Sequence, residues 1–284
     1  MKLKLIYPRW GNDHIPWKKF LKEVKEAGFH GVEIGIPQSK TERDRVLGLI
    51  KDLGLDFIAQ HWETQSSNFH EHLNSYKHHL IRLAECQPLL INSHTGKDYF
   101  SPEYNLQLID IGHEIEIRTG VPITHETHRS RFLYAAHMGQ TYLKGHDSLK
   151  LTTDLSHWCC VAESLLEDQP EAVEQAILHT YHLHARVGSS QTAQVIDPRD
   201  PRYATELEQF KSWWKSILTN AWNANREWMT VSPEYGPAPY ALHSPFSDLP
   251  MGDQWEINLF ISDEVKKIHQ EISDTKNHFY PENS

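Results

Sequence analysis

Short apolar runs alternate along the chain with longer segments whose apolar residues recur at helical spacing. The short runs fit strands buried on both faces, and the longer segments fit amphipathic helices. Strands are expected at Leu3–Tyr7, Val32–Ile36, Leu55–Gln60, Leu89–Ser93, Pro122–Glu126, Leu151–Asp154, His182–Val187 and Met229–Pro233. Helices are expected near Ile15–Ala27, Thr41–Asp52, Phe69–Glu85, Pro102–Arg118, Arg131–Leu143, Val161–Leu178, Ala204–Arg226 and Glu256–Ile272, with Pro170 as a candidate break in the sixth. Gly28, Gly54 and Gly120 stop three of them, and Ser101-Pro102 opens the fourth with an N-cap and a proline at the first helical position. Eight strands separated by helical crossovers imply a parallel sheet. Eight such units fit one closed α/β barrel, a (β/α)8 TIM barrel, a fold of roughly 250 residues. The barrel is assigned to residues 1–273 as a single domain, and 274–284 to a polar C-terminal tail. A doubly wound open sheet would show a glycine-rich phosphate turn after strand one; Tyr7-Pro8-Arg9-Trp10-Gly11 offers none.

Composition narrows the function. The mean hydropathy of −0.59 belongs to a polar-surfaced chain. No segment approaches the roughly 18 apolar residues of a membrane span, and the N-terminus enters a strand without a signal-peptide core. A cytoplasmic protein without a membrane partner is expected. With 28 Lys+Arg against 38 Asp+Glu, the formal charge is −10, which argues against nucleic acid as the partner. Cys86, Cys159 and Cys160 make an odd count with no metal-site spacing, and they read as small buried apolar residues. The 20 histidines are the anomaly, because several fall where strands are expected to end.

Side chains alternate along a strand. In Leu151-Thr152-Thr153-Asp154-Leu155-Ser156-His157, Asp154 is therefore the last inward residue, and His157 is expected in the loop just beyond. Ile123-Thr124-His125-Glu126, His182-Leu183-His184-Ala185-Arg186 and Thr230-Val231-Ser232-Pro233-Glu234 repeat the design. The carboxyl ends of the strands carry the active site of such a barrel, so these ends converge. Glu126, Asp154, His184 and Glu234 form a candidate ligand set for one divalent ion. Carboxylates with one imidazole suit Mn2+, Mg2+, Co2+ or Zn2+. His182 is expected deeper, as a hydrogen-bonded core histidine, and Arg186 higher, where it would hold a substrate oxygen or anionic group. Trp10, Trp62, Trp158, Tyr240 and Trp255 lie near expected loop ends and are candidates to stack on a bound ligand.

Together with Gly31-Val32-Glu33-Ile34, His125-Glu126-Thr127-His128-Arg129 and Pro233-Glu234-Tyr235-Gly236, these motifs resemble the xylose-isomerase-like TIM barrel superfamily, in its sugar-phosphate isomerase/epimerase branch. The resemblance implies that Glu126, Asp154, His184 and Glu234 bind one metal. It implies further that Glu126 and Glu234 move protons and that His157 contacts substrate. One departure stands out. Where ketose 3-epimerases place a substrate-binding Arg, this chain has Ser190, and Arg186 is a candidate to replace it. The superfamily also contains zinc-dependent apurinic endonucleases, whose extra ligands His61, His94 and His157 could imitate. The Asp-x-His they need after strand seven is missing: the loop reads Gln194-Val195-Ile196-Asp197-Pro198-Arg199. His61 and His94 are accordingly expected to line a sugar pocket.

The implied chemistry is isomerisation or epimerisation of a sugar or sugar phosphate by proton transfer beside a carbonyl. The alternatives are β-elimination on 3-keto-glycosides, an endonuclease-like phosphodiesterase, and a metal- or sugar-binding barrel without catalysis. The expected partner is a small sugar, and a homo-oligomer stays open. Loops 188–202 and 236–253 should overhang the barrel mouth, offering Arg199 and Arg202, and Tyr240 and His243.

Overall fold

The computed structural model describes residues Met1–Phe279. Eight parallel strands close into a barrel in sequential order. They are β1 (Lys2–Pro8), β2 (Gly31–Ile34), β3 (Asp56–His61), β4 (Ile91–Ser93), β5 (Ile123–Glu126), β6 (Leu151–Thr153), β7 (Thr180–Ala185) and β8 (Trp228–Pro233). Pairing of β1 with β8, from Lys2 opposite Trp228 to Leu5 opposite Val231, seals the barrel. The outer ring comprises α1 (Trp17–Glu26), α2 (Lys40–Asp52), α3 (Phe69–Ala84), α4 (Pro102–Thr119), α5 (Ala136–Leu143), α6 (Leu155–Ala162), α7 (Pro170–His179), α8 (Ala204–Asn223) and α9 (Gln254–Phe279). The expected single-domain (β/α)8 barrel is what the chain forms. Among the described residues, no helix is long and apolar enough to cross a membrane.

The largest departure from the expected elements lies after β6. The segment read as one helix over 161–178 is two, and His157 sits on α6 rather than in a loop. Asp154 is the reason: its side chain accepts a hydrogen bond from the Ser156 backbone N–H and caps α6 at once. Glu163, in the left-handed region at φ 52°, ends α6, and Pro170 opens α7 at its first turn. At the C-terminus, α9 runs through the start of the segment assigned to the tail and reaches Phe279. Residues 280–284 lie outside the described residues.

Two apolar clusters hold the fold. The large one fills the shell between strands and helices, drawing Leu5, Tyr7, Val32, Ile34, Ile91, Leu183 and Val231 from the outward faces of the strands. The small one, Ile6, Ile58 and Leu90, belongs to the barrel interior. The rest of the interior is largely polar: Thr124 bonds Thr152 at 2.7 Å, and His182 bonds Thr230 at 2.8 Å. The barrel is thus an apolar sleeve around a polar channel whose side chains belong to the site.

Packing in the shell is tight where α5 meets α6. A methyl group at Gly139 would come within 2.5 Å of the buried Trp158 ring. In an open helix, Gly→Ala gains about 1 kcal/mol from propensity. Overpacking a core costs about 1–3 kcal/mol, and a rigid indole places this site toward the upper end. Gly139→Ala is expected to lower the urea midpoint of unfolding, and a raised midpoint would show that Trp158 yields.

Candidate metal centre

Strand parity brings the four expected ligands together. Glu126 ends β5, Asp154 follows β6, His184 lies on β7 and Glu234 follows β8. One candidate ligand atom from each lies within 4.8 Å of the others, and all four residues are buried. His184 Nδ1 is 2.6 Å from Glu234 Oε2 and 3.8 Å from Glu126 Oε1. Neither His184 Nδ1 nor Glu234 Oε2 has a well-directed hydrogen bond. The two atoms lie against each other, and Arg186 Nη2 is 2.8 Å from the same Glu234 oxygen; the four clustered ligand atoms could accommodate a shared cation. Three carboxylates and one imidazole could hold a divalent ion such as Mn2+, Mg2+, Co2+ or Zn2+.

Glu33, on β2, is the functional residue that the sequence reading passed over except as part of a family motif. Its carboxylate accepts from His184 Nε2 at 3.0 and 3.2 Å, from Ser232 Oγ at 2.8 Å and from Asn92 Nδ2 at 2.9 Å. Its inward parity, opposite to Val32 and Ile34, was the available signal. By accepting the hydrogen bond from His184 Nε2, Glu33 fixes the ring plane and would leave Nδ1 as the nitrogen available to a cation. Burial alone would raise the Glu33 carboxyl, but the His184 and His182 imidazoles outweigh it and hold the group well below the usual range. His182 is the core histidine expected, with Nδ1 on Thr230 and Nε2 3.3 Å from Glu33. His184 is pulled down by burial and pushed up more strongly by Glu234, Glu33 and Glu126, ending well above its ordinary value.

Glu126 is held through one oxygen. His94 Nε2 lies 2.9 Å from Oε2, and Asn92 Nδ2 donates to the same atom at 2.8 Å. Burial raises its carboxyl, yet His94 and His184 lower it further, so it stays ionised. Arg186, expected to bind substrate, lines the cavity and is also tied to the acids of the site. Its Nε donates to Asp154 Oδ2 at 2.9 Å, and its Nη2 lies 2.8 Å from Glu234 Oε2. These two carboxylates raise the guanidinium pKa against the effect of burial. Arg186 is therefore committed to the acids of the site.

A cavity of about 380 Å³ opens over this centre. Glu126, Glu234, His94, Arg186, Trp10, Trp62 and Tyr240 line it, as do His128 and Arg131. Among the aromatic candidates, Trp10, Trp62 and Tyr240 thus face the cavity. Trp158 does not: it is fully buried, and its Nε1 donates to the Leu133 carbonyl at 2.8 Å, so it packs α6 against the neighbouring loop. Trp255 packs on Tyr7. His61 is also misassigned as a pocket residue. It points outward from β3, bonding Ser93 at 2.9 Å and Thr64 at 2.8 Å, while Gln60 takes the inward place. His94 lines the cavity, with Nε2 against Glu126. His157 is fully buried beneath the cavity, its ring 4.0 Å from that of His128 and its Nε2 3.6 Å from Asp154, and neither of its nitrogens has a hydrogen-bond partner. Burial pushes His128 down to about 3, so its ring is neutral, and its Nε2 lies 3.2 Å from the Tyr240 hydroxyl. Arg199 and Arg202 pair with Asp197 and Asp200 on their own loop and do not line the cavity. A larger groove, of about 490 Å³, lies on the flank between α7 and α8, away from the strand ends.

No protein-family model matches the chain, and no curated protein sequence does. Solved structures do match. The 3-keto-D-glucoside 4-epimerase YcjR from E. coli superposes with a TM-score of 0.58 at 16% identity, covering 94% of this chain and 100% of its own. The probable 3-DHS dehydratase AsbF from Bacillus anthracis gives 0.58 at 17% identity, covering 94% and 98%. Endonuclease IV from Thermus thermophilus gives 0.57 at 12% identity, covering 95% and 100%. The likeness is one of fold. It agrees with the resemblance to xylose-isomerase-like barrels and leaves the chemistry to the residues of this chain.

Because Glu33 contacts His184 and is not one of the four expected ligands, Glu33→Gln tests the geometry from one step away. Loss of such an outer partner weakens metal binding about 10–100-fold. A Mn2+ titration followed by calorimetry should show that loss. Equal affinity in variant and wild type would mean that Glu33 does not set the ligating nitrogen.

Proposed function

We propose that the protein is a divalent-metal-dependent isomerase or epimerase that transfers a proton at a carbon next to the carbonyl of a small sugar or sugar derivative. The observation that carries the reading is the pair Glu126 and Glu234. Both line the cavity, while Asp154 and His184 complete the ligand set behind them. The chemistry a divalent ion supplies when bound is polarisation of a carbonyl or hydroxyl oxygen, which acidifies the neighbouring C–H.

The chain's own residues do the rest. Glu126 and Glu234 each have a carboxylate at the cavity wall, so one takes the proton and the other returns one, as epimerisation requires; a single base serves isomerisation. His94 and Asn92 fix one oxygen of Glu126 and leave the other free. Arg186 donates to Asp154 and lies against Glu234, which holds both side chains in place. Trp10 and Tyr240 meet edge to face at 5.3 Å and offer a rigid apolar wall for a sugar ring. The expected partner is a small molecule. A nucleic-acid groove would need a broad basic field, whereas the two arginines of the loop after β7 are neutralised by their own aspartates.

The test is hydrogen exchange. With Mn2+ or Co2+, a panel of ketoses, sugar phosphates, sugar acids and 3-keto-glycosides in deuterated water should include one compound that takes up solvent deuterium. Glu234→Gln, with its metal content measured alongside, should lower that rate by about 10²–10⁴-fold. A metal-loaded variant with the wild-type rate would remove Glu234 from the mechanism. Cleavage of an abasic duplex, with no exchange in any sugar, would replace this reading with a phosphodiesterase.

A further inference from the structure

Arg131 follows β5 in the loop that leads to α5, and its side chain is 95% buried by its 5% exposure, yet it lines the active-site cavity. Its one side-chain hydrogen bond among the described residues runs from Nη1 to the Thr64 carbonyl at 3.4 Å, which is long, and its Nε has no partner there. No ion pair ties it to a carboxylate of the described residues. The contrast with the other cavity arginine is sharp, because Arg186 touches both Asp154 and Glu234. Burying a cation without a counter-charge is expensive, and burial pulls the Arg131 pKa down while Glu126 and Asp98 oppose it only through space.

Several polar side chains share the cavity lining with Arg131, alongside Glu126 and Glu234. Gln65 is one of them, and Lys97 Nζ lies 3.0 Å from Gln65 Oε1. His94 and His128 face the same space. We propose that Arg131 is the anion anchor of the cavity and that the substrate carries a carboxylate or phosphate group, which pairs with this guanidinium while the reacting carbons lie over Glu126 and Glu234. The inference rests on the isomerase reading for the reacting end of the molecule. A planar guanidinium presents two parallel N–H groups to either oxyanion, so sugar acids and sugar phosphates share the required chemistry. Arg186, the residue the sequence suggested for this role, is already spent on the acids of the site.

Binding to the metal-free, full-length protein tests this without turnover, so it can succeed or fail independently of the exchange assay. Calorimetric titrations would use inorganic phosphate, glucose 6-phosphate, glucuronate and, as the neutral control, glucose, against wild type and Arg131→Gln. At least one anion is expected to bind wild type more tightly than glucose does and to lose about tenfold or more in Arg131→Gln, while glucose is unaffected. Dependence confined to the phosphates identifies a phosphorylated substrate, and dependence confined to glucuronate a sugar acid. Should Arg131→Gln fail to fold, Arg131→Lys keeps the charge without the fork and is expected to weaken the same anion several-fold. Anion affinities that do not exceed that of glucose, that are the same with and without Arg131, or that fall together with glucose binding would overturn the proposal.

Discussion

Four carboxylates, Glu33, Glu126, Asp154 and Glu234, are packed into the upper barrel with almost no access to water. An isolated buried carboxylate is unaffordable for a fold whose net stability is about 5–15 kcal/mol. Each must therefore meet a donor or a cation, and the surrounding side chains are arranged to satisfy that constraint. Asn92 bridges Glu33 and Glu126. Ser232, His182 and His184 surround Glu33. Arg186 reaches Asp154 and Glu234, and the Ser156 N–H takes the other oxygen of Asp154. Removing one partner of such a pair typically costs about 3–5 kcal/mol.

The network is incomplete in a directed way. Glu33 is fully satisfied, and so it can act as a rigid support. His184 Nδ1 and Glu234 Oε2 converge without a proper bond. This poorly directed contact, with Arg186 Nη2 2.8 Å from the same Glu234 oxygen, sits within the four-residue group that could hold a cation. Arg131, elsewhere in the same cavity lining, shows the opposite imbalance: a buried positive charge without an ion pair among the described residues. On the proposed reading the cavity would hold a cation at the strand ends and an anion at Arg131, and a substrate ligated at one end and charged at the other would satisfy both.

Much of this was legible in the sequence, for a specific reason. Period-two alternation at the strand ends placed Glu126, Asp154, His184 and Glu234 inward, and a closed barrel leaves such residues nowhere else to go. His182 followed from the same parity. The parity rule also identifies Glu33 and Asn92, but a lone acid between Val32 and Ile34 carries no chemical flag until its partners from β4, β7 and β8 are seen. His61 and Trp158 were assigned by their closeness to strand ends, and burial decided otherwise: His61 points outward toward Tyr76, and Trp158 fills the space beside Gly139. His157 moved from loop to helix because Asp154 serves as both a site acid and an N-cap, a double role invisible in the strand pattern. The pairing state of Arg186 and Arg131 depends on contacts between distant segments, which spacing along the chain does not encode.

Anomalous scattering from crystals soaked in Mn2+, collected at the manganese edge, addresses the arrangement most directly. A single strong peak is expected within coordinating distance, about 2.0–2.2 Å, of Glu126, Asp154, His184 Nδ1 and Glu234. The Glu33–His184 contact should remain intact beside it. A peak held by His94 and His128 instead, or an ion bound through His184 Nε2 with Glu33 displaced, would contradict the account, as would crystals with no peak at the strand ends.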